Sequence, residues 1–287
     1  MVLERLQTRL IELVERSLSD HLALGKFKEA ALYCIEGRGK RMRAQLVILS
    51  GQLFSLDENA LMSPALAIEL IHLYSCVHDD LPCMDDDDYR RGRMTIHKQF
   101  DEATALLLGD FFLTLSFDTL AQSPLPAETK VALTQILAKR SGGLGMIAGQ
   151  FFDLEKTGCS LQEDEMLFMH EKKTASLIQA AAEFGAEIAR ASPKVKTHLS
   201  RFGRALGIGY QITDDLLDKT GSPKTLGKPV GSDEKNGKTT SISLYGVTKT
   251  EEKATFWYNL ALEELRQCSL ETTALEEFAT RLLHRRY

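Results

Sequence analysis

Apolar residues recur along most of the chain at intervals of three and four, the spacing that places side chains on one face of an α-helix. The pattern is present near the N-terminus at Leu3, Leu6 and Leu10, and again near the other end at Leu262 and Leu265. Because helical spacing replaces the alternation of β-strands almost everywhere, we expect an all-α fold. The helical stretches indicated in this way are residues 40–54, 64–81, 102–121, 127–140, 162–190 and 198–218.

Serine followed by proline marks the expected start of two helices, at Ser63-Pro64 and Ser192-Pro193. Ser is a preferred N-cap residue, and Pro fits the first helical position. The longest irregular segment, residues 219–238, is rich in Gly, Pro and Lys, and a loop of that length in a compact protein is usually functional or disordered. No internal repeat or linker divides the chain, so we expect one helical domain.

Two helices combine an apolar surface with a row of acidic residues. The stretch over residues 64–81 is apolar on nearly all sides, which is typical of a helix buried in the middle of a bundle. Its few polar residues nevertheless share one face, since they are spaced three and seven positions apart. A second helix, ending at Asp218, repeats the arrangement. The residues on the two faces are His72, Ser75 and Asp79 on the first helix, and Gln211, Asp214, Asp215 and Asp218 on the second.

The composition is that of a soluble globular protein, with 44% hydrophobic and 26% charged residues. Lys and Arg total 35 against 40 Asp and Glu, a net charge of −5, which leaves no basic excess for a nucleic-acid backbone or an anionic membrane. The longest weakly polar stretch, residues 174–188, is shorter than the roughly 20 residues of a membrane span, so no stable membrane insertion is expected. Five cysteines without a CxxC pair and an N-terminus without a secretory signal favour a cytoplasmic protein with reduced thiols.

The average charge hides a cluster of six aspartates within residues 79–88. A solvated acidic run is the ordinary explanation of such a cluster, but this one closes a buried helix, and Asp214 and Asp215 repeat the motif. Aspartates this close repel one another unless a cation lies between them. Carboxylates without His or Cys partners suit Mg²⁺, which keeps several waters and completes its coordination with substrate phosphate.

Basic residues near these motifs are candidates for binding the same phosphate. Each one alone is more often a surface charge, but together they are suited to clamp a diphosphate. The groups are Arg90 and Arg91; Lys40, Arg41 and Arg43 at a predicted helix start; Lys172 and Lys173; and Lys228 and Lys238 in the Gly-rich segment. The chain has no GxxxxGK[ST] loop, and no GxGxxG motif follows a strand, so ATP is not the expected ligand.

In these residues the chain resembles the trans-isoprenyl diphosphate synthase family, and within it the bacterial short-chain type. The resemblance rests on seven blocks that occur in the order typical of the family. These are residues 39–43, 78–92, 149–154, 173–174, 210–218, 226–228 and 237–238. The resemblance implies a single helical domain over residues 1–287. It would be an all-α bundle of the isoprenoid synthase type, with a deep central cavity and the two aspartate motifs facing each other across its mouth.

The resemblance also implies a reaction, a Mg²⁺-dependent head-to-tail prenyl transfer in which three Mg²⁺ ions bridge the aspartates to the allylic diphosphate. Isopentenyl diphosphate would be condensed with dimethylallyl or geranyl diphosphate to give farnesyl diphosphate and pyrophosphate. The allylic diphosphate would ionise, the double bond of isopentenyl diphosphate would attack the carbocation, and a proton would be lost. A homodimer is implied as well. The apolar helix over residues 103–120 is our candidate interface, and an ordinary core helix is the alternative.

The same resemblance assigns roles to single residues. Magnesium would be held by Asp79, Asp85 and Asp214, supported by Asp80 and Asp218. Isopentenyl diphosphate would be bound by Lys40, Arg43, His72 and Arg91. The allylic diphosphate would be bound by Arg90, Lys173, Thr174, Gln211, Lys228 and Lys238. Thr174 and Gln211 would line the reacting centre, and together with Lys173 they are the residues expected to be catalytic.

Two local features of the blocks need a structural explanation. Ala44 stands where the family usually has a proline, which affects the start of a helix rather than the chemistry. Asp79 and Asp85 are six residues apart with Pro82 between them, so a regular helix cannot carry both on one face. We therefore expect the backbone to leave the helix near Pro82.

The length of the product and the class of enzyme each have alternative interpretations. In this family the side chains five and four residues before the first aspartate form the floor beneath the growing chain, here Tyr74 and Ser75. A bulky Tyr74 indicates a C15 product, although it is equally compatible with an ordinary core aromatic, and geranylgeranyl or geranyl diphosphate stay open as products. A class I terpene cyclase usually has only one such aspartate motif, and a non-catalytic synthase subunit tends to lose the second, so both are less favoured. A plain helical scaffold would show no magnesium dependence.

Overall fold

The regular structure of the protein is helical apart from one short hairpin, which confirms the all-α prediction for the described residues. The computed structural model describes residues 2–19, 24–37, 39–220 and 238–284. The hairpin pairs β1 (Tyr89–Arg90) with β2 (Arg93–Met94). The helices are α1 Val2–Ser17, α2 Gly25–Glu36, α3 Met42–Gln52, α4 Glu58–Asp79, α5 Ile96–Gln99, α6 Glu102–Ala121, α7 Ala127–Ser141, α8 Met146–Glu155, α9 Glu163–Met169, α10 Ser176–Ile188, α11 Pro193–Thr220, α12 Ser241–Tyr245, α13 Val247–Arg266 and α14 Thr273–Leu283. A π-helical turn, His170–Ala175, joins α9 to α10.

The core of the bundle is built around α4 and α10. α4 contacts α3, α6 and α10, and its apolar residues from Pro64 to Val77 are buried on all sides, as expected of a helix that is apolar all round. α10 is buried to a similar degree and packs against α3, α7 and α11. Each fully buried Leu or Ile side chain contributes about 1.5–3 kcal/mol, so these two helices form a stable frame for the residues at their ends.

The start of α4 differs from the sequence prediction. α4 begins at Glu58, and the side chain of Asp57 accepts a hydrogen bond from the backbone N–H of Asn59 at 2.7 Å. The predicted start at Ser63-Pro64 is therefore wrong, and Pro64 lies inside the helix. Asp is as good an N-cap residue as Ser, and the earlier start adds about one and a half turns of helix.

The start of α11 agrees with the prediction. The helix begins at Pro193, and the hydroxyl of Ser192 accepts a hydrogen bond from the backbone N–H of Val195 at 3.4 Å. α11 ends at Thr220, so it extends slightly into the segment predicted as a loop, residues 219–238. Most of that segment lies outside the described residues.

Two of the described helices, α4 and α6, are long and apolar enough to cross a membrane by length and composition alone. In α4, 72% of the most apolar window is buried inside the bundle, whereas in α6 the share is 44%. α4 is therefore long and apolar because it is a core helix of the bundle. α6 instead keeps two large apolar side chains in contact with solvent, Leu106 and Leu107, which are 50% and 58% exposed.

Candidate active site

The first aspartate motif begins at the C-terminal end of α4. This helix ends at Asp79, and the chain then folds back so that the backbone N–H of Asp85 donates to the carbonyl oxygen of Asp79 at 2.9 Å. Pro82 lies in this turn, which confirms that the backbone leaves the helix between the two aspartates. The turn places the main chain of Asp85 beside the end of α4, so both carboxylates belong to one short region.

The basic end of the motif forms the hairpin. Arg91 and Gly92 connect β1 to β2, and both have positive φ, 55° and 77°, which is the pattern of a type I′ turn. Gly92 adopts this backbone conformation freely, whereas it is uncommon for a residue such as Arg91. The guanidinium of Arg91 reaches His72, with 3.5 Å between Arg91 Nη2 and His72 Nε2. Residues held in such conformations concentrate at functional sites.

Asp80 and Arg90 are paired with each other. Arg90 Nε lies 2.7 and 2.9 Å from the two carboxylate oxygens of Asp80, and Arg90 Nη2 lies 2.6 Å from one of them. Asp80 is buried, and burial raises its pKa, while the Arg90 guanidinium opposes that shift. The structure therefore joins a residue predicted to support the metal with one predicted to bind the allylic diphosphate.

Asp79 has a strongly perturbed carboxylate. Burial raises the pKa of Asp79 from 3.8 to about 6, and the nearby carboxylates of Asp85 and Asp80 add to this shift. The positive charges of Lys173 and Arg90 act in the opposite direction without cancelling it. A bound cation would favour the ionised form of such a carboxylate and relieve its repulsion from its neighbours.

Two lysines meet at Asp153 on α8. Lys173 Nζ lies 2.6 Å from Asp153 Oδ2, and Lys238 Nζ lies 3.3 Å from the same oxygen. Lys238 Nζ also lies 2.8 Å from Asp85 Oδ1, so it joins α8 to the first aspartate motif. Burial alone would raise the pKa of Asp153, but the two ammonium groups outweigh burial and hold the pKa below its ordinary value. Sequence reasoning missed this role, although Asp153 lies in one of the blocks of the resemblance.

The aspartates fit a magnesium site that is completed by substrate. Within the described ranges, no three acidic, His or Cys side chains converge closely enough to hold a metal ion unaided. Mg²⁺ does not need such a cage, since it keeps several waters and binds substrate phosphate. The ammonium of Lys238 beside Asp85 shows that this position accommodates positive charge, so Asp79 and Asp85 would hold magnesium there. Asp214 is half-buried and Asp218 buried on α11, and their role with the metal stays a prediction.

The residues predicted to bind isopentenyl diphosphate include a cationic cluster around His72. Burial lowers the pKa of His72 well below its ordinary value, and the guanidinium groups of Arg43 and Arg91 lower it further. Arg43 Nε is buried and has no hydrogen-bond partner among the described residues. A buried, charged donor of this kind suits an anionic ligand. Lys40, three residues before Arg43, is exposed.

Arg41 anchors the segment that carries these groups, residues 40–43. Arg41 is 1% exposed, and its guanidinium donates to Gln7 Oε1 at 3.0 and 3.2 Å, to Glu69 at 3.4 Å, and to a backbone carbonyl of α2. Glu69 Oε2 also accepts the backbone N–H of Ala44 at 3.4 Å. A proline at this position could not donate that bond, so the departure from the family pattern adds a tie between α3 and α4.

The residues predicted to be catalytic meet at the π-helical turn. The predicted helix over residues 162–190 is divided into α9, this turn and α10, and such turns are frequent at functional sites. Thr174 Oγ1 donates to Gln211 Oε1 at 2.7 Å, which joins the turn to α11. Gly149 of α8 packs directly against the turn, since a Cβ atom there would lie 2.1 Å from the backbone nitrogen of Lys173.

The sequence matches the polyprenyl synthetase family over residues 25–276. The chain belongs to this family. It is 38% identical over 269 residues to a farnesyl diphosphate synthase of Geobacillus stearothermophilus, with 91% of each chain covered. It is 40% identical to the chloroplastic geranylgeranyl pyrophosphate synthase 11 of Arabidopsis thaliana, with 83% of this chain and 68% of that one covered. A solved structure of a Helicobacter pylori geranyltransferase, complexed with magnesium and isoprenyl diphosphate, matches with a TM-score of 0.83 at 29% identity, over 96% and 95% of the two chains.

Membership of the polyprenyl synthetase family confirms the resemblance, and the protein is a prenyltransferase that joins isoprenyl units head to tail. At one end of the bundle the structure links Lys238 through Asp153 to Lys173, which directly precedes Thr174. Lys228, predicted to bind the allylic diphosphate, lies outside the described residues.

Proposed function

We propose that the protein condenses isopentenyl diphosphate with dimethylallyl and geranyl diphosphates and releases farnesyl diphosphate. The observation that carries this proposal is the meeting of Asp85, Lys238, Asp153 and Lys173 beside the perturbed carboxylate of Asp79. Carboxylates that are paired with ammonium groups are placed to exchange them for magnesium, and the lysines are then placed to hold a diphosphate. The metal is Mg²⁺, and we propose three ions per site by resemblance to the family.

The first chemical step separates charge. Breaking the allylic C–O bond moves an electron pair onto the departing diphosphate, and this negative charge must be stabilised as it forms. Bound Mg²⁺ supplies Lewis-acid stabilisation of those oxygens. Lys173 and Lys238 add two ammonium groups, both of which contact Asp153. Thr174 and Gln211 supply oxygen dipoles that stabilise the allylic carbocation once water is excluded from the site.

The second substrate is bound by the guanidinium groups around His72. Arg43 and Arg91 hold its diphosphate, and the lowered pKa of His72 keeps the imidazole neutral at pH 7. The double bond of isopentenyl diphosphate attacks the carbocation and forms the new C–C bond. A proton then leaves the adjacent carbon, and we propose that the released pyrophosphate accepts it.

Product length is proposed from Tyr74. The ring lies five residues before Asp79 on α4, about 7.5 Å along the helix axis. It is 6% exposed and packs in a T-shaped contact with His78, with 5.9 Å between ring centroids, and its hydroxyl has no partner within the described residues. Farther along α4 from Asp79, an open pocket of about 830 Å³ with a partly charged lining lies between α1, α4 and α6, and Tyr74 does not line it. Relatives of similar identity include farnesyl and geranylgeranyl synthases, so overall identity does not decide the length.

Incubation of the protein with isopentenyl and geranyl diphosphates, followed by dephosphorylation and chromatography, tests the reaction and the product. We expect a C15 product with Mg²⁺ and none after chelation. Tyr74→Ala should shift the product toward C20, whereas Tyr74→Phe, which keeps the ring, should retain C15. A wild type without any prenyl product would refute the transferase. A C20 product from the wild type, or only C15 from Tyr74→Ala, would refute the role of Tyr74 as a floor.

We further propose that the protein is a homodimer that associates through α6. The adjacent exposed residues Leu106 and Leu107 support this proposal, because burying them against a second copy would remove apolar surface from water. Light scattering should give twice the chain mass of 32.0 kDa. The double change Leu106→Glu, Leu107→Glu should give a monomer, whereas Val247→Glu, on an exposed position of α13, should leave the dimer intact. A monomeric wild type would contradict the proposal.

A further inference from the structure

Asp215 on α11 is 5% exposed and is surrounded by hydrogen-bond donors. The backbone N–H and the hydroxyl of Ser241 donate to Asp215 Oδ2 at 2.8 and 2.7 Å. Gln211 Nε2 donates to Asp215 Oδ1 at 3.0 Å, and His170 Nε2 lies 3.5 Å from Oδ2. Both carboxylate oxygens are therefore occupied by protein donors, which leaves Asp215 poorly placed to coordinate a metal ion.

The Asp215 carboxylate determines which end of the neighbouring Gln211 carboxamide points toward it. An ionised carboxylate only accepts hydrogen bonds, so Gln211 must turn Nε2 toward Asp215. Gln211 Oε1 then points the other way and accepts from Thr174 Oγ1 at 2.7 Å. The hydroxyl proton of Thr174 is used in that bond, so Thr174 offers only lone pairs to a third group. The bonds thus run in a fixed order from Thr174 through Gln211 to Asp215.

We propose that Asp215 is a positioning residue for the ionisation step, because through Gln211 it sets the direction of the two oxygen dipoles that stabilise the allylic carbocation. This inference rests on the prenyl transfer proposed above. As the C–O bond breaks and its electron pair leaves with the diphosphate, positive charge develops on the allylic carbon. Dipoles already directed at that carbon stabilise the charge more than they stabilise the neutral substrate. A reversed carboxamide would direct N–H groups at the charge and raise the barrier.

Asp215→Asn tests this order because it keeps the shape of the side chain. Ser241 still presents two donors, so the introduced carboxamide must turn its oxygen toward Ser241 and its NH₂ group toward Gln211. Gln211 then has to turn its own oxygen toward position 215 and its NH₂ group toward Thr174, which is the reverse of the native order. Adding Gln211→Glu restores an acceptor toward both neighbours and keeps the total charge of the wild type.

Steady-state kinetics and thermal melting of these variants decide the question. We expect Asp215→Asn to lower kcat about 100-fold, the effect typical of losing one preorganised dipole, with KM for both diphosphates and the half-saturating Mg²⁺ concentration nearly unchanged. The double variant Asp215→Asn, Gln211→Glu should recover a large part of the lost kcat and melt above either single variant. Gln211→Glu alone sets two carboxylates against each other and should be impaired. Glu264→Gln is the matched control, since it neutralises a carboxylate bonded to His198 Nδ1 at 2.7 Å, and it should keep the wild-type kcat.

A wild-type kcat in Asp215→Asn would overturn the proposal, as would a double variant that is no better than Asp215→Asn in both kcat and melting temperature. A large rise in the half-saturating Mg²⁺ concentration of Asp215→Asn would also overturn it, because Asp215 would then be a metal ligand. A wild type without prenyl product would instead refute the transferase, and with it the catalytic role of Asp215. The melting temperatures report the order of the hydrogen bonds independently of turnover.

Discussion

Asp79→Asn should stabilise the metal-free protein while abolishing its activity. Burial and neighbouring carboxylates raise the pKa of Asp79 from 3.8 to about 6. The folded protein therefore binds this proton more tightly than the unfolded chain does, so the ionised carboxylate destabilises the fold as pH rises. The destabilisation is absent well below pH 3.8, grows between pH 3.8 and pH 6, and is complete above that range.

The size of the effect follows from the two pKa values. At 1.36 kcal/mol for each pKa unit, the difference between about 6 and 3.8 corresponds to about 3 kcal/mol at pH 8, and to about half of that at pH 5. An asparagine carries no charge into the protein, so Asp79→Asn should have the larger free energy of unfolding by this amount. For a chain of this length that is a rise in melting temperature of several degrees.

Thermal unfolding in EDTA at pH 8, 6.5 and 5 measures this difference. Glu252→Gln, which removes an exposed carboxylate from α13, controls for the loss of one negative charge. Mg²⁺ with pyrophosphate should reverse the ranking, because the wild type binds them and gains stability while Asp79→Asn does not. A variant less stable than the wild type at pH 8 in EDTA would contradict the electrostatic reasoning, and so would an advantage that does not shrink at pH 5.

Two further predictions concern the shape of the site and its charge. Gly149→Ala should lower the free energy of unfolding by about 1–3 kcal/mol and reduce kcat, because the added Cβ would clash with the backbone of Lys173. Gly143→Ala is the control, since Gly143 has open space around it, and it should change neither the stability nor kcat. In NMR titrations the pKa of His72 should be well below the ordinary value in the free protein and should rise when isopentenyl diphosphate binds, because an anion offsets the burial and the guanidinium groups that lower it. An unchanged kcat in Gly149→Ala, or a His72 pKa that does not respond to the ligand, would contradict these two accounts.

Much of the fold can be predicted from the spacing of apolar residues, because each long helix buries a continuous row of apolar side chains. α6 and α7 agree with the predicted ranges to within one residue. The predicted start of α4 is wrong because two capping signals compete, and Asp57 lies earlier in the chain than Ser63. The π-helical turn leaves the apolar pattern nearly unchanged, so periodicity cannot reveal it. The hairpin escapes prediction because strands of two residues are too short to show an alternation.

The candidate site also contains some residues that the sequence predicts and others that it does not. Aspartates that close a buried helix, and would otherwise repel one another, indicate a cation, so Asp79 and Asp85 can be predicted from the sequence. Asp153 and Asp215 are not, because their roles depend on partners that only the fold brings near. Lys238, for example, is 153 positions from Asp85 in the chain. The sequence shows that an apolar helix carries a carboxylate, but it does not show which hydrogen-bond donors surround that carboxylate.

In the structure the charged groups of the site are paired with one another, Lys238 with Asp85, Arg90 with Asp80 and Lys173 with a carboxylate of α8. A magnesium diphosphate carries both kinds of charge, so it can exchange these partners, with carboxylates passing to the metal and ammonium groups passing to phosphate. Diphosphate alone would bring more negative charge to the carboxylates, and metal alone would leave a lysine beside a cation. We therefore expect each ligand to bind more tightly in the presence of the other, and linkage would make that coupling reciprocal. The net charge of −5 gives no sign of this exchange, because it depends on local pairs and not on their sum.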